Sequence, residues 1–177
     1  MKKYLITLLV AFFTMNSWAQ DFYQFKYKDT SGKEIDFKDF KGKVVMITNI
    51  ATRCGFTGQL DDLEKLFLKY KDRNFTIIAF PSNNFMSQTP EGNKEVAEFC
   101  RLKYGVSFPI IEKQEVIGKQ ITPLFKWFTE QKGYDGAVLW NFEKFIINKE
   151  GKIIDRFRSM TNPMDTDILK VLDKETK

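Results

Sequence analysis

The sequence predicts an α/β domain: a central mixed sheet flanked by helices, with a β-hairpin at its amino-terminal side. Three observations carry this. The runs Val44–Ile50 and Phe75–Phe80 are almost unbroken apolar stretches, the pattern of strands buried on both faces. Between them Leu60, Leu63, Leu66 and Phe67 recur at helical spacing, which makes the unit β-α-β with a right-handed crossover. Beyond it, two further extended runs and a final helix give the order β-β-α.

Residues 1–19 stand apart from that domain. Lys2 and Lys3 precede the apolar run Tyr4–Phe13, and Ser17-Trp18-Ala19 closes it like a cleavage site, the layout of a secretory signal peptide. The run is short for a bilayer span, and no cysteine follows it for a lipid anchor. Export, to a bacterial periplasm and without a stable membrane anchor, is therefore expected. Residues 20–177 contain no repeat, linker or low-complexity tract and read as one domain.

Within it, Phe25–Lys28 and Ile35–Phe37 alternate around Thr30-Ser31-Gly32-Lys33, a hairpin signal. The first buried strand follows, and then the helix, whose opening turns carry Asp61, Asp62 and Glu64 on the side of the dipole that favours acids. The second buried strand stops at Pro81. Val96, Phe99, Cys100 and Lys103 are expected on one side of a short helix. Phe108–Ile111 reads as extended, and Leu124, Phe125 and Phe128 fit another helix. Phe142–Asn148 and Lys152–Phe157 form a second hairpin, turned at Lys149-Glu150-Gly151, and Ile168, Leu169 and Leu172 mark the last helix. This order is the plan of a thioredoxin-like fold, which does not by itself give a function.

Composition narrows the chemistry. Lys and Arg number 28 against 23 acids, a net charge of +5. The basic residues Lys38, Lys41, Lys43, Lys65, Lys69 and Lys71 are interleaved with acids, and no basic stripe suggests a nucleic-acid partner. The chain has two cysteines, Cys54 and Cys100, and no histidine. Cys-His and Ser-His nucleophiles are thereby excluded, as are histidine-ligated zinc and haem. Sulfur remains as the reactive element. In an oxidising compartment, however, two cysteines also fit a structural disulfide.

Cys54 lies just past the carboxyl end of a buried strand, with a helix beginning near Thr57. Reactive groups collect at such places in open α/β sheets, and a helix start favours a thiolate. Gly55 and Gly58 let the backbone approach closely, and Arg53 adds a cation if it turns inward. Thr57 stands where a Cys-x-x-Cys redox protein has its second cysteine, which argues against a simple dithiol-disulfide exchanger.

The stretch Asn49-Ile-Ala-Thr-Arg-Cys54-Gly-Phe-Thr57 resembles the active-site signature of the glutathione peroxidase family. Phe80-Pro-Ser-Asn-Asn-Phe85 with Gln88-Thr-Pro90 is similar to the family's second motif, and Trp140-Asn-Phe-Glu-Lys-Phe145 to its third. Ser82, Asn84 and Thr89 depart from the family's usual Cys, Gln and Glu. The resemblance implies that Cys54 is the peroxidatic residue and that Gln88, Trp140 and Asn141 complete a catalytic tetrad. Chemistry agrees: a thiolate attacking an O–O bond needs hydrogen-bond donors for the anion and the leaving oxygen, and an indole and two carboxamides supply them without histidine. Read alone, Trp140 is a core aromatic and Gln88 and Asn141 are solvated turn residues; the three motifs together reverse that reading.

In the thiol-dependent branch of the family, the position of Cys100 is that of the resolving cysteine. The resemblance therefore implies a transient Cys54–Cys100 disulfide, with local unfolding of residues 93–104 if Cys100 packs into the core. It implies a hydroperoxide substrate, a thioredoxin-like dithiol protein or glutathione as reductant, and no metal, haem or nucleotide cofactor. The short segment Thr129–Val138 resembles the compact, monomeric branch. Two alternatives stand beside it: an exported thiol-disulfide oxidoreductase, and a non-enzymatic domain with a permanent disulfide.

Overall fold

The structure is a computed structural model that describes residues 21–177; the expected leader, residues 1–19, lies outside them. Lys26–Lys28 (β1) pairs antiparallel with Glu34–Asp36 (β2). Their turn is closed by the Asp29 carboxylate, which accepts the Ser31 and Lys33 amides at 2.8 and 3.0 Å, a common use of Asp at a turn start.

Val44–Ile50 (β3) and Phe75–Pro81 (β4) are buried at every position. They pair in parallel, with Val44 opposite Phe75 and Ile50 opposite Pro81. The crossover between them is Gln59–Tyr70 (α1). On the other side of β3, Lys144–Ile147 (β5) pairs antiparallel, and Ile153–Phe157 (β6) pairs antiparallel with β5. The order β4-β3-β5-β6 is the mixed sheet expected, with β3 at its centre.

Side-chain alternation along β3 divides the core in two. Met46 and Ile50 face α1 (Leu60, Leu63, Leu66) and the last helix, Thr166–Glu175 (α4), through Ile168 and Leu172. Val45 and Ile47 face the helix Pro123–Thr129 (α3), through Leu124, Phe125 and Phe128. The Phe128 and Phe145 rings stack with centroids 4.3 Å apart.

Two details differ from the sequence expectation, at Cys100 and Phe142, and one, at Phe108–Ile111, is added to it. The helix through Cys100 is Asn93–Glu98 (α2) followed by a single π-helical turn, Phe99–Lys103. The wider turn changes the facing: Cys100 is fully buried while Lys103 is exposed, its ammonium 5.2 and 5.5 Å from the Phe99 and Tyr104 ring centroids. Phe108–Ile111 is extended but makes only isolated bridges, Ala79 to Ile110 and Asp29 to Ile111. Pro109 has no amide to donate, yet the segment still covers the β4 edge through bonds of 2.9 Å at Ala79 N–H and carbonyl. Finally, β5 starts at Lys144 rather than Phe142, because Phe142 adopts φ +65° and cannot continue a strand.

Candidate active site

Cys54 sits four residues beyond the end of β3, and α1 begins at Gln59 rather than at Thr57. Residues 55–58 form a turn ahead of the helix, with Thr57 N–H on the Cys54 carbonyl at 3.0 Å and Gln59 N–H on Phe56 O at 2.9 Å. The Thr57 hydroxyl grips Cys54 from both sides. It accepts the Cys54 amide at 2.9 Å and lies 2.7 Å from the Cys54 carbonyl and 3.0 Å from the Ala51 carbonyl. Its single proton serves one carbonyl at a time. The Phe56 amide points at Cys54 Sγ, 3.4 Å away, where it stabilises negative charge on sulfur. Cys54 itself is 9% exposed.

Two expectations about this loop change. Arg53 turns outward: its guanidinium pairs with Glu91 at 2.7 Å and its side chain is 64% exposed. Burial works to raise the Glu91 carboxyl, but the Thr52 hydroxyl, a backbone amide and Arg53 outweigh it and hold the group below its usual range. That guanidinium is committed to a carboxylate. At Gly55 and Gly58 a Cβ would meet nothing within 4 Å, so close backbone approach does not require glycine at either position.

Gln88 reaches the loop through its backbone. Its carbonyl accepts the Arg53 amide at 2.9 Å and lies 3.2 Å from the Thr52 hydroxyl, whose single proton goes to Glu91 at 2.6 Å. Its segment is tightly turned, with Met86 and Ser87 in the left-handed region. It is also bolted down on several sides. Asn83 accepts the Thr89 amide at 2.8 Å, and Lys113 donates to the Thr89 and Glu91 carbonyls at 3.3 and 2.7 Å. Asn84 accepts from Ser82 and from the Val116 amide at 2.8 and 2.7 Å and donates to Glu115. Of the departures from the family pattern, the Ser82 and Asn84 side chains thus serve as scaffold, whereas Thr89 contributes through its backbone and its buried hydroxyl has no partner among the described residues.

The third stretch arrives from the segment before β5. Trp140 is half-buried, its ring 5.4 Å from that of Phe85. Asn141 is fully buried, and its amide donates to the Gln88 side-chain carbonyl at 2.8 Å. Asn141 Oδ1 has no hydrogen-bond partner among the described residues. The structure therefore gathers the Cys54 loop, Gln88, Trp140 and Asn141 at the carboxyl end of β3 and β4. Within that group the Gln88 and Asn141 carboxamides bond to each other, and the contact to Sγ comes from the Phe56 amide.

Cys100 belongs to the same apolar cluster as Cys54, but lies deeper. Burial pushes its thiol up to about 12, with Arg101 opposing weakly. Both cysteines are free thiols. A cleft of about 550 Å³ runs between the β1–β2 turn and α2, lined by Thr30, Ser31, Lys94, Ala97 and Glu98 among others; Cys54 does not line it.

Two contributors were missed by sequence reasoning. Thr57 marks an absent cysteine and a helix start in the sequence, but its hydroxyl as an anchor for the loop is a further signal, a threonine opening a local side-chain-to-backbone turn. Glu91 gave no signal, since its partners Thr52 and Arg53 are far from it in the chain.

Among known proteins, residues 22–129 match the family model described as glutathione peroxidase. Trp140 and Asn141 lie beyond that match. The chain is 42% identical over 159 residues to glutathione peroxidase-like peroxiredoxin 2 of Saccharomyces cerevisiae, covering 86% of this chain and 98% of the relative. The crystal structure of Trgpx in apo form superposes with a TM-score of 0.71 at 32% identity, covering 89% of this chain and 96% of that one. A thiol:disulfide interchange protein of the thioredoxin family from Chlorobium tepidum TLS gives 0.66 at 20% identity, covering 86% and 93%. That last likeness speaks to the fold, which is thioredoxin-like. No helix of the described residues is long and apolar enough to cross a membrane.

Proposed function

The chain belongs to the glutathione peroxidase family and is a thiol-dependent peroxidase, and we propose that it reduces hydrogen peroxide and organic hydroperoxides through Cys54. The Cys54 thiolate attacks the terminal oxygen of ROOH. An S–O bond forms, the O–O bond breaks, and the alkoxide leaves as ROH once protonated. The Phe56 amide steadies the thiolate, and the Trp140 indole with the Gln88 and Asn141 carboxamides supplies donors for the leaving oxygen. The observation that carries this reading is the doubly anchored Gln88. Its backbone holds the Cys54 loop at Arg53, and its side chain holds Asn141 at 2.8 Å.

The sulfenic acid on Cys54 is then attacked by Cys100, releasing water and forming a disulfide. Cys100 is fully buried and its thiol is pushed up to about 12, so this step requires the π-helical turn Phe99–Lys103 to open first. A dithiol protein of thioredoxin type reduces the disulfide by two exchange steps and is itself oxidised; glutathione is the alternative reductant. Residues 1–19 are removed on export, and the reductant is then an extracytoplasmic dithiol; mass analysis of the secreted chain should find it beginning at Gln20. Thr57 in place of a second loop cysteine speaks against a plain disulfide exchanger on this fold.

Free-thiol titration around one equivalent of peroxide tests the cycle. Two thiols should disappear rapidly and return with a dithiol. A Cys54→Ser variant should consume no peroxide, and Cys100→Ser should lose one thiol and accumulate sulfenic or sulfinic acid. Undiminished turnover of Cys100→Ser with a thioredoxin-type reductant would remove the resolving role.

A further inference from the structure

We propose that Asn49 is the positioning residue of this site: its carboxamide, at the end of β3, sets the Trp140–Asn141 pair against the Cys54 loop. The proposal rests on the peroxidase reading above and adds to it a residue outside the tetrad. Asn49 is fully buried, opposite Phe80 in the β3–β4 register. Both ends of its side chain are used. Nδ2 donates to the Trp140 carbonyl at 3.0 Å, and Oδ1 accepts the Glu143 amide at 3.0 Å. Its own carbonyl accepts the Phe142 amide at 2.7 Å.

Three bonds from one residue thus bracket the four-residue turn Trp140–Glu143. That turn has to be held from outside. Phe142 sits at φ +65°, a conformation that bulky residues rarely adopt and that persists only where surroundings over-determine it. Glu143 is fixed on the far side by Arg156 at 2.8 Å, Arg158 at 2.9 Å and the Leu139 amide at 2.6 Å. Those contacts hold Glu143 and Leu139, while Gln88 and Phe85 meet only the side chains of Asn141 and Trp140; the backbone between them is left to be fixed from β3. Asn49 supplies the missing constraint from the strand that leads to Cys54 five residues later, so one side chain couples the nucleophile's strand to the donor pair.

The chemistry needs asparagine. Aspartate keeps the acceptor for Glu143 but loses the donor to Trp140, and serine is too short to reach both. Removing the bracket frees the turn to shift, and misplacement of donors by about 1 Å costs on the order of a hundredfold in rate.

The test uses Asn49→Asp and Asn49→Ser with near-UV circular dichroism as a control for packing. Stopped-flow reaction of Cys54 with hydrogen peroxide should slow by about 10- to 100-fold. Alkylation of Cys54 by iodoacetamide, which has no O–O bond to polarise, should change by less than roughly threefold. In an Asn141→Ala background the same substitutions should add less than roughly threefold, because neighbours acting through one another are non-additive. Equal losses with both reagents, full additivity on Asn141→Ala, or an unchanged peroxide rate would overturn the positioning role. Should both variants fail to fold, hydrogen exchange of the wild-type chain decides: a Glu143 amide, the one bonded to the Asn49 carboxamide, belonging to the fast loop class would overturn the bracket. A wild-type chain that does not react with peroxide would instead overturn the peroxidase reading, which keeps the two failures separate.

Discussion

At the scale of single residues, the Thr57 hydroxyl governs where Cys54 points. Thr57→Val leaves the buried Cys54 amide without its acceptor and removes the hydroxyl proton shared between the Cys54 and Ala51 carbonyls, of which the Cys54 carbonyl keeps the Thr57 amide. Such unmade bonds cost about 1–3 kcal/mol, so a urea midpoint should fall measurably, and the peroxide rate with it. Thr57→Ser keeps the oxygen and should restore most of both; equal rates for Val and Ser would remove the hydroxyl from the account. The contrast between this residue and Arg53 shows what sequence can say about a site. That Cys54, Gln88, Trp140 and Asn141 come together was legible from their motif residues. The direction of a side chain was not. Arg53 offered a cation beside the thiol, but its charge went to Glu91, 38 positions along the chain, a partner no local pattern predicts.

Among the elements, α2 and its π-helical turn control the second cysteine. Val96 and Cys100 are spaced as in any α-helix, so the sequence gives no sign of the wider turn; packing against the core decides it. The consequence is a thiol with no access to solvent. Burial raises its pKa from 9.0 to about 12, which favours the folded chain keeping the proton. The associated stability is intact below about pH 9 and is lost as pH rises through 12. Unfolding in urea across that range should therefore steepen in the wild type and flatten in Cys100→Ser. Labelling gives a second measurement. Modification of Cys100 by a maleimide should be limited by opening of the turn and become independent of reagent concentration, while Cys54 reacts in proportion to it. Equal, proportional labelling of both thiols would remove the opening step. The other elements were easier to foresee, because β3, β4 and α1 carry patterns set by burial alone. Phe108–Ile111 was legible as extended but not as an edge cover, since its pairing depends on where the β1–β2 turn lands.

For the whole molecule, Lys144 is the tie that holds sheet, helix and closing loop together. It is fully buried on β5, opposite Thr48 of the central strand. Its ammonium donates at 2.6 Å to the Gln59 side chain at the start of α1 and at 2.6 Å to the Thr161 carbonyl. Gln59 passes the link on to the Ser159 carbonyl at 2.7 Å. These partners are neutral, so burial dominates and lowers the lysine from 10.5 to about 7, with Glu143 opposing. A base whose folded pKa lies below its unfolded one binds its proton more readily when the chain unfolds. The resulting penalty is fully present below pH 7 and is relieved as pH rises towards 10.5. Stability should thus increase from pH 7 to 9, by up to about 1.4 kcal/mol per pH unit for one proton. The chain contains no histidine, so few other side chains titrate in this window, and a Cys54→Ser background removes the reactive thiol. The opposite trend from Cys100 sets in as its unfolded thiol ionises around pH 9.0, so the background also carries Cys100→Ser. Urea unfolding at pH 7, 8 and 9 should therefore show a rising free energy in the doubly cysteine-free chain and a flat one when Lys144→Met is added. A slope that survives Lys144→Met would place the titrating group elsewhere and remove this lysine as the pH-sensitive tie.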